Sequence, residues 1–418
     1  MRILRNRYVE ELKLRMGNGM VKVITGIRRC GKSYLLNELF YEYLMSAGVR
    51  RDHIICVSLD ELENRSLKDA EKLDSFIKER IKDDKMHYVF IDEIQEAADF
   101  VPLLNGWLKI KNLDAYVTGS NSHLLSSDIA TQFRGRGDRI HVHPLSFCEY
   151  FNAANLPFDK ALDEYLTYGG MPFLSNRPNE EMKANYLKEL FREIYIKDIK
   201  ERYRIRDEIQ LNELLDIVSS SIGSLTNPSK LENAFKSMEN EKISRNTIAS
   251  HLSHLEDSFI IQKACRYDIK GKRYMNSLSK YYFTDLGLRN ARINFRQFER
   301  THLMENLIFN ELSIRGFNVD VGIVRINEKN ANGNWIEKQI ETDFVANRLN
   351  DRIYIQSAYA MPEGEKKNQE IRPLLNTNDS FKKVIIVREG IRPCKDEHGI
   401  SMISLEDFLL DDEIFQKI

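Results

Sequence analysis

Short apolar runs alternate with charged stretches over the first 150 residues. Val21-Lys22-Val23-Ile24-Thr25 is β-prone, and Tyr34-Leu35-Leu36-Asn37-Glu38-Leu39-Phe40 then repeats apolar residues at helical spacing. Residues 53–59 form a continuous apolar run of the kind found in buried parallel strands. A charged helical stretch covers about residues 68–82, and Tyr88-Val89-Phe90-Ile91 is again apolar, ending in Asp92-Glu93. Residues 114–118 and 139–142 predict two further strands. Strands alternating with helices predict an α/β domain with a parallel sheet over residues 1–150.

Beyond residue 150 the rhythm becomes helical. Residues 181–204 read as one long amphipathic helix with Tyr186, Leu190, Ile194 and Ile196 among its apolar positions. This region, 151–206, is expected to be a helical lid or connector. Helices follow at about 208–222 and 233–238, then at 244–255 with Ser244 as N-cap. An alternating strand at 259–264 and a basic hairpin tip at 266–274 come next. That order resembles a winged helix-turn-helix over 207–289. Its third helix would expose Arg245, Asn246, Ser250 and His254, and Lys270, Lys272 and Arg273 would grip the phosphates of duplex DNA. Such modules also bind protein partners. His251 and His254 read as surface or packing residues.

From residue 290 a helix (300–312), strands (317–326, 336–346, 352–358), a helix (365–375), a strand (383–387) and a closing strand–helix (400–410) are expected, with a hairpin turn at Asn332-Gly333. This order resembles the PD-(D/E)xK nuclease fold, a small α/β restriction-endonuclease-like domain over 290–418. Glu341 and Asp343 lie two apart and share a strand face. Breaks are expected near 152–157, 204–207 and 290–296.

Composition narrows the classes. Hydrophobic residues are 42% and charged residues 30% of 418, enough apolar material for several cores. The formal net charge of −1 means that any nucleic-acid surface must be a local patch. No apolar run approaches membrane-spanning length, and the first residues lack the apolar centre of a signal peptide. The five cysteines are scattered, with no C-x-x-C pair. A soluble cytoplasmic protein with no membrane role is expected.

The candidate chemistry sits early. Gly26-Ile27-Arg28-Arg29-Cys30-Gly31-Lys32-Ser33 fits the phosphate-loop pattern G-x-x-x-x-G-K-[ST], between a strand and a helix. Gly26, Ile27, Arg28, Arg29, Cys30, Gly31, Lys32, Ser33 and Tyr34 are the candidate ATP-binding residues. The glycines let backbone N–H groups turn inward, and the helix presents its positive end to the same anion. Lys32 would reach the β- and γ-phosphates, and Ser33 would hold Mg²⁺. Asp92, ending an apolar strand, is the second Mg²⁺ candidate, and Glu93 the candidate general base. Asn121 or Ser120 is the candidate sensor of hydrolysis state. Arg136, with Arg134 second, is the candidate arginine finger, often supplied to a neighbouring subunit, so a homo-oligomer is expected.

The segments GIRRCGKS, VFIDEIQ, YVTGSNSHLLS, FRGRGDRIHVHPLSFCEY and YLTYGGMPFL, followed by a helix at 192–198, make the chain similar to the AAA+-type ATPases of bacteria and archaea with a C-terminal nuclease-like domain of unknown function. The resemblance implies an extra strand between the phosphate-loop strand and the Asp92 strand. It implies an ATP-binding and hydrolysing protein that couples nucleotide state to a winged helix and a nuclease-like region on or near DNA. Asp343 matches the metal-binding aspartate of the nuclease fold. Gln356-Ser357-Ala358 stands where that fold carries its second acid and lysine, so the domain is expected to be degenerate, with Lys366 or Lys367 of the next helix as the substitute amine. A slow nucleotide switch that binds a protein partner and an active metal-dependent nuclease are the alternatives.

Overall fold

The computed structural model describes residues 2–120, 135–205, 207–237, 243–329, 333–360, 364–388 and 391–418. Asn121 and Arg134, and Asn332 of the expected hairpin turn, lie outside the described residues. The chain divides into two compact units. The first is Met1–Leu145 together with Met171–Phe173 and Asp257–Phe259, and the rest forms the second.

The first unit is built on five parallel strands, β1 (Val21–Thr25), β2 (Ile54–Ser58), β3 (His87–Asp92), β4 (Leu113–Gly119) and β5 (Gly137–His141), in the order β2-β3-β4-β1-β5. β4 therefore separates the phosphate-loop strand β1 from β3, as the resemblance implies. Alternation decides the two faces. Val21, Val23, Val89, Ile91 and Val117 pack with Leu73, Ile77, Leu104 and Trp107 from the helices Ala70–Lys78 and Phe100–Trp107. The in-between positions Phe90 and Tyr116 meet Phe40 instead, with centroids 5.0–5.8 Å apart. Lys22, also on that face, is fully buried, and its ammonium is neutralised by Asp114. Tyr116 Oη donates to the same carboxylate at 2.8 Å, which is what a buried charge requires.

The second unit joins regions that the sequence reading keeps apart. Its eight strands include β6 (Ile261–Asp268), β7 (Arg273–Phe283), β8 (Asn318–Lys329), β9 (Trp335–Arg348), β10 (Asp351–Ala358), β11 (Lys382–Val387), β12 (Cys394–Lys395) and β13 (Ser401–Ser404). The order is β12-β13-β11-β10-β9-β8-β6-β7. The hairpin expected as a wing, β6–β7, pairs through Arg266–Asp268 in parallel with Val321–Ile323 of β8. It is one margin of the same sheet, so no break separates 207–289 from 290–418. The break expected at 290–296 is also absent. Asn290 is fully buried in the helix Leu286–Arg292, with its Nδ2 donating to the Leu166 and Thr167 carbonyls at 2.8 and 2.9 Å.

Asp285, at the start of the same helix, explains the two glycines of Gly169-Gly170-Met171-Pro172. Asp285 accepts from Gly170 N at 2.7 Å and Leu288 N at 3.0 Å, and a Cβ on Gly169 would stand 2.3 Å from an Asp285 oxygen. Gly169 also has φ +74°, where side chains are strained. The single helix expected over 181–204 is present as one continuous helical run from Glu180 to Tyr203, widened to π geometry at Leu190–Ile196. It stops at Arg204 in the left-handed conformation.

Candidate functional site

The loop leaving β1 is shaped by Val142, the residue that follows β5. Gly26 has φ +149°, and a Cβ there would lie 2.1 Å from the Val142 carbonyl oxygen, so only glycine fits. Val142 N donates to Thr25 O at 2.7 Å, and the Cys30 thiol donates to Val142 O at 3.2 Å. Burial raises the Cys30 thiol above its ordinary range, so it packs as a neutral group. Gly31, φ +99°, precedes the helix start Lys32–Tyr34. Lys32 is buried, and its ammonium donates to the Gly26 and Ile27 carbonyls at 3.0 and 3.2 Å. Arg28, Arg29, Ser33 and Tyr34 are exposed beside it, whereas Ile27 is buried.

Asp92 and Glu93 end up at the same edge of the sheet. In register, Ile91 faces Val117 and Ile24 faces Thr118, so the tips of β3, β4 and β1 are level. Two strand spacings separate the Asp92 strand from the loop strand, roughly 10 Å. Asp92 is buried and accepts the hydroxyl proton of Thr118. Glu93 N donates to the same Thr118 oxygen at 3.0 Å, and Gln95 Nε2 donates to the Glu93 carboxylate. Glu93 has φ +54°, an uncommon conformation for a side-chain-bearing residue and one that concentrates at working sites. Thr118 is the residue that sequence reasoning missed here. A polar position inside an apolar strand was the available signal, but the strand pairing that gives it meaning was not. Ser120, just past the end of β4, is buried.

A second missed group surrounds the loop. Arg5 is 2% exposed, and its guanidinium donates to Cys30 O at 3.1 Å and His143 O at 2.8 Å. Pro172 Cγ and Arg5 Nη1 both lie 3.7 Å from where a Cβ on Gly31 would stand. His141 sits 3.4 Å from Thr25 Oγ1 through Nδ1, and its ring packs on those of His143 and Phe259. Burial and the nearby Lys32 charge hold the His141 pKa down to about 4, so the ring is neutral at neutral pH.

Arg136 is exposed and lies at the other end of the sheet. Its carbonyl accepts from Val21 N at 3.1 Å, and Gly137 is level with Val21 at the start of β1. The loop begins a full strand later, roughly 16 Å away. Arg136 therefore cannot complete the site of its own chain.

In the second unit, Ser244 Oγ accepts from Thr247 N at 3.1 Å and caps the helix Arg245–Asp257. Arg245, Asn246 and Ser250 are exposed as expected. His254 is not an open reader, because it stacks on Tyr203 at 3.8 Å. Lys270, Lys272 and Arg273 are all exposed; the Lys270 ammonium donates to Arg325 O at 3.0 Å, and Arg273 Nε lies 4.0 Å from Asp268 Oδ2.

The acidic face of β9 holds an amine that the sequence did not reveal. Lys280 of β7 is 4% exposed, and its ammonium lies 2.8 Å from Glu305 and 2.7 Å from Glu341. Tyr282 Oη donates to Glu305 at 2.6 Å. Asp343 accepts from Ser357 N at 2.8 Å, and Gln356 Oε1 accepts from Asp343 N at 3.3 Å. Burial and the Glu305 charge push the Asp343 carboxyl well above the carboxylate range, against the pull of Lys280. β7 thus brings one ammonium into this group of carboxylates.

Residues 18–151 match the family described as an AAA domain, and residues 159–299 match a domain of unknown function. The first match contains the phosphate loop, Asp92 and Glu93. An uncharacterized protein of Haemophilus influenzae is 33% identical over 414 residues, 98% of each chain. An uncharacterized protein of Methanocaldococcus jannaschii is 30% identical over 378 residues, 86% of this chain and 79% of its own. Cdc6p of Pyrobaculum aerophilum overlaps 72% of this chain and 94% of its own at 12% identity, with a TM-score of 0.29, too slight a likeness to carry an argument. Among the described residues no helix is long and apolar enough to cross a membrane.

Proposed function

The chain belongs to the family of these two relatives and carries an AAA-type P-loop NTPase domain, and from that premise we propose that it binds ATP with Mg²⁺ and hydrolyses it. The observation that carries this reading is the level alignment of the Gly26 loop with Asp92 and Glu93 at one sheet edge. The donor set fits the ligand. Gly26 and Gly31 take conformations open to a closely approaching phosphate, Lys32 supplies a cation, and the Ser33 hydroxyl is exposed. Ser33 and Asp92 would hold Mg²⁺, which neutralises charge on the β- and γ-phosphates. Glu93 would take the proton of the attacking water, and Thr118 fixes both acids in place. Arg136 would act on a neighbouring copy, which needs head-to-tail assembly.

Three helices, Glu208–Ser220, Pro228–Ser237 and Arg245–Asp257, followed by a hairpin with a basic tip support a winged-helix reading. Duplex DNA would be held through Lys272 and Arg273. The strand and helix order after residue 300 supports a nuclease-like domain, and Lys280 among its carboxylates favours a binding platform over a cleaving site. A nucleotide switch that serves a protein partner is the second reading, favoured by the lysine already held within the acidic face. The test is Mg²⁺-dependent ATP turnover by the purified chain, with and without duplex DNA. Turnover lost in Lys32→Ala supports the first reading. Tight ATP binding without turnover supports the second.

A further inference from the structure

At the opposite end of the first sheet from the phosphate loop, two histidines face each other. β2 and β3 run parallel with Ile54 level with Tyr88, so the preceding residues His53 and His87 stand side by side. Both are buried, and their ring centroids are 4.5 Å apart. Asp83, at the surface, brings a carboxylate to the same point, with Oδ2 3.1 Å from His53 Nε2. One ligand atom from each of His53, Asp83 and His87 lies within 4.8 Å of the other two.

The surroundings orient these atoms. His87 Nδ1 bonds the Lys85 carbonyl at 2.8 Å, which fixes that nitrogen as the proton carrier and leaves Nε2 with its lone pair. Nε2 receives only a 3.3 Å contact from Lys82 N, whose residue is exposed and can turn to water. Asp83 Oδ1 accepts from Lys85 N at 2.9 Å, so Oδ2 is the oxygen offered to the histidines. The loop is pinned at both ends: Asn112 Nδ2 donates to Asp83 O, and His87 N donates to Asn112 O, each at 2.8 Å.

The geometry points to a divalent transition-metal site, with Zn²⁺ as the ion, held by His53, Asp83 and His87. Two imidazoles, borderline nitrogen ligands, with one carboxylate suit Zn²⁺ over Mg²⁺ or Ca²⁺, which take oxygen ligands. Tetrahedral coordination at about 2.0–2.2 Å sets ligand atoms roughly 3.3 Å apart. The His53–Asp83 separation already matches this, and small side-chain rotations bring in the third ligand. Water on the exposed side of Asp83 completes the shell. The ion would tie the starts of two strands together, far from the ATP site, so its role is structural.

The test is titration of the chelator-stripped full chain with Zn²⁺ against a chromophoric competitor, and with Co²⁺ read by its visible absorption. One equivalent is expected to bind, with the spectrum of a four-coordinate ion. Asp83→Asn, at the surface, keeps the fold and is expected to weaken Zn²⁺ binding by about tenfold or more. His87→Ala is expected to abolish the Co²⁺ spectrum, provided that circular dichroism shows it folded. Wild-type protein that binds no Zn²⁺, or Asp83→Asn that binds it as tightly as wild type, overturns the assignment.

Discussion

Thr118 donates its hydroxyl proton to Asp92 across the β3–β4 pair, and the same oxygen accepts the N–H of Glu93. One side chain thereby sets the rotamer of the proposed metal ligand and the backbone of the proposed base. Thr118→Val keeps the shape and removes both bonds. A hydrogen bond to a charged group contributes about 1.5–3 kcal/mol. Turnover should fall about 10- to 100-fold with KM for ATP little changed, and Thr118→Ser should restore much of it. Wild-type turnover in Thr118→Val would remove the positioning role.

Lys280→Met tests the lysine held within the acidic face. The substitution leaves Glu305, Glu341 and Asp343 in a confined space with no cation. Breaking a buried pair typically costs about 3–5 kcal/mol. Denaturant unfolding should report a loss of that order in the second unit. No loss would mean that the carboxylates find protons or water without help.

The acid–base balance of the second unit predicts its pH response. Burial raises the Glu311 carboxyl to about 7 and Asp285 to about 6. Arg315 opposes the shift at Glu311, while Glu149 and Asp412 add to it. Unfolded carboxyls titrate near 4. The folded state therefore binds more protons above pH ~4, so stability falls as pH rises through about 4 to 7. Glu311→Gln retains an oxygen for Phe147 N, which Glu311 accepts at 2.7 Å. It should be less stable than wild type at about pH 5 and gain on it by about pH 8. Parallel pH profiles for the two proteins would contradict the shift.

The basic hairpin makes a smaller claim on DNA than its sequence suggests. The Lys270 ammonium is engaged by the Arg325 carbonyl, and Lys272 and Arg273 are exposed, Arg273 lying 4.0 Å from Asp268. Replacing these two with alanine should flatten the log–log salt dependence of duplex affinity by about 1.8, at about 0.9 for each lost phosphate contact. Absence of duplex binding at low salt would favour the protein-partner reading.

What the sequence made legible was local. Val21–Thr25 is a strand with the bounds that its apolar run predicts, and the glycine spacing located the loop. Asp92 and Glu93 followed from one apolar run ending in acids. The rest depends on pairing, which periodicity does not encode. β6 alternates buried and open positions like any half-buried strand, and nothing in it names β8 as its partner. Lys280 and Glu305 lie 25 residues apart on a strand and a helix. Arg5 reaches His143 across 138 residues, and reads in sequence as one of several early arginines. The arginine assigned from its place near the end of the domain proved to be a strand length from its own loop, because position in the chain does not say which end of a strand a residue occupies.

Glu93→Gln gives the most direct test of the central claim. The amide is isosteric but cannot take a proton from water, while the loop, Lys32 and Asp92 are untouched. Equilibrium ATP binding and single-turnover hydrolysis should be measured on the same preparation. ATP affinity should match wild type, and hydrolysis should slow by about 10²–10⁴-fold. Hydrolysis at the wild-type rate would contradict the assignment of Glu93 as the base and, with it, the proposed catalytic edge of the sheet.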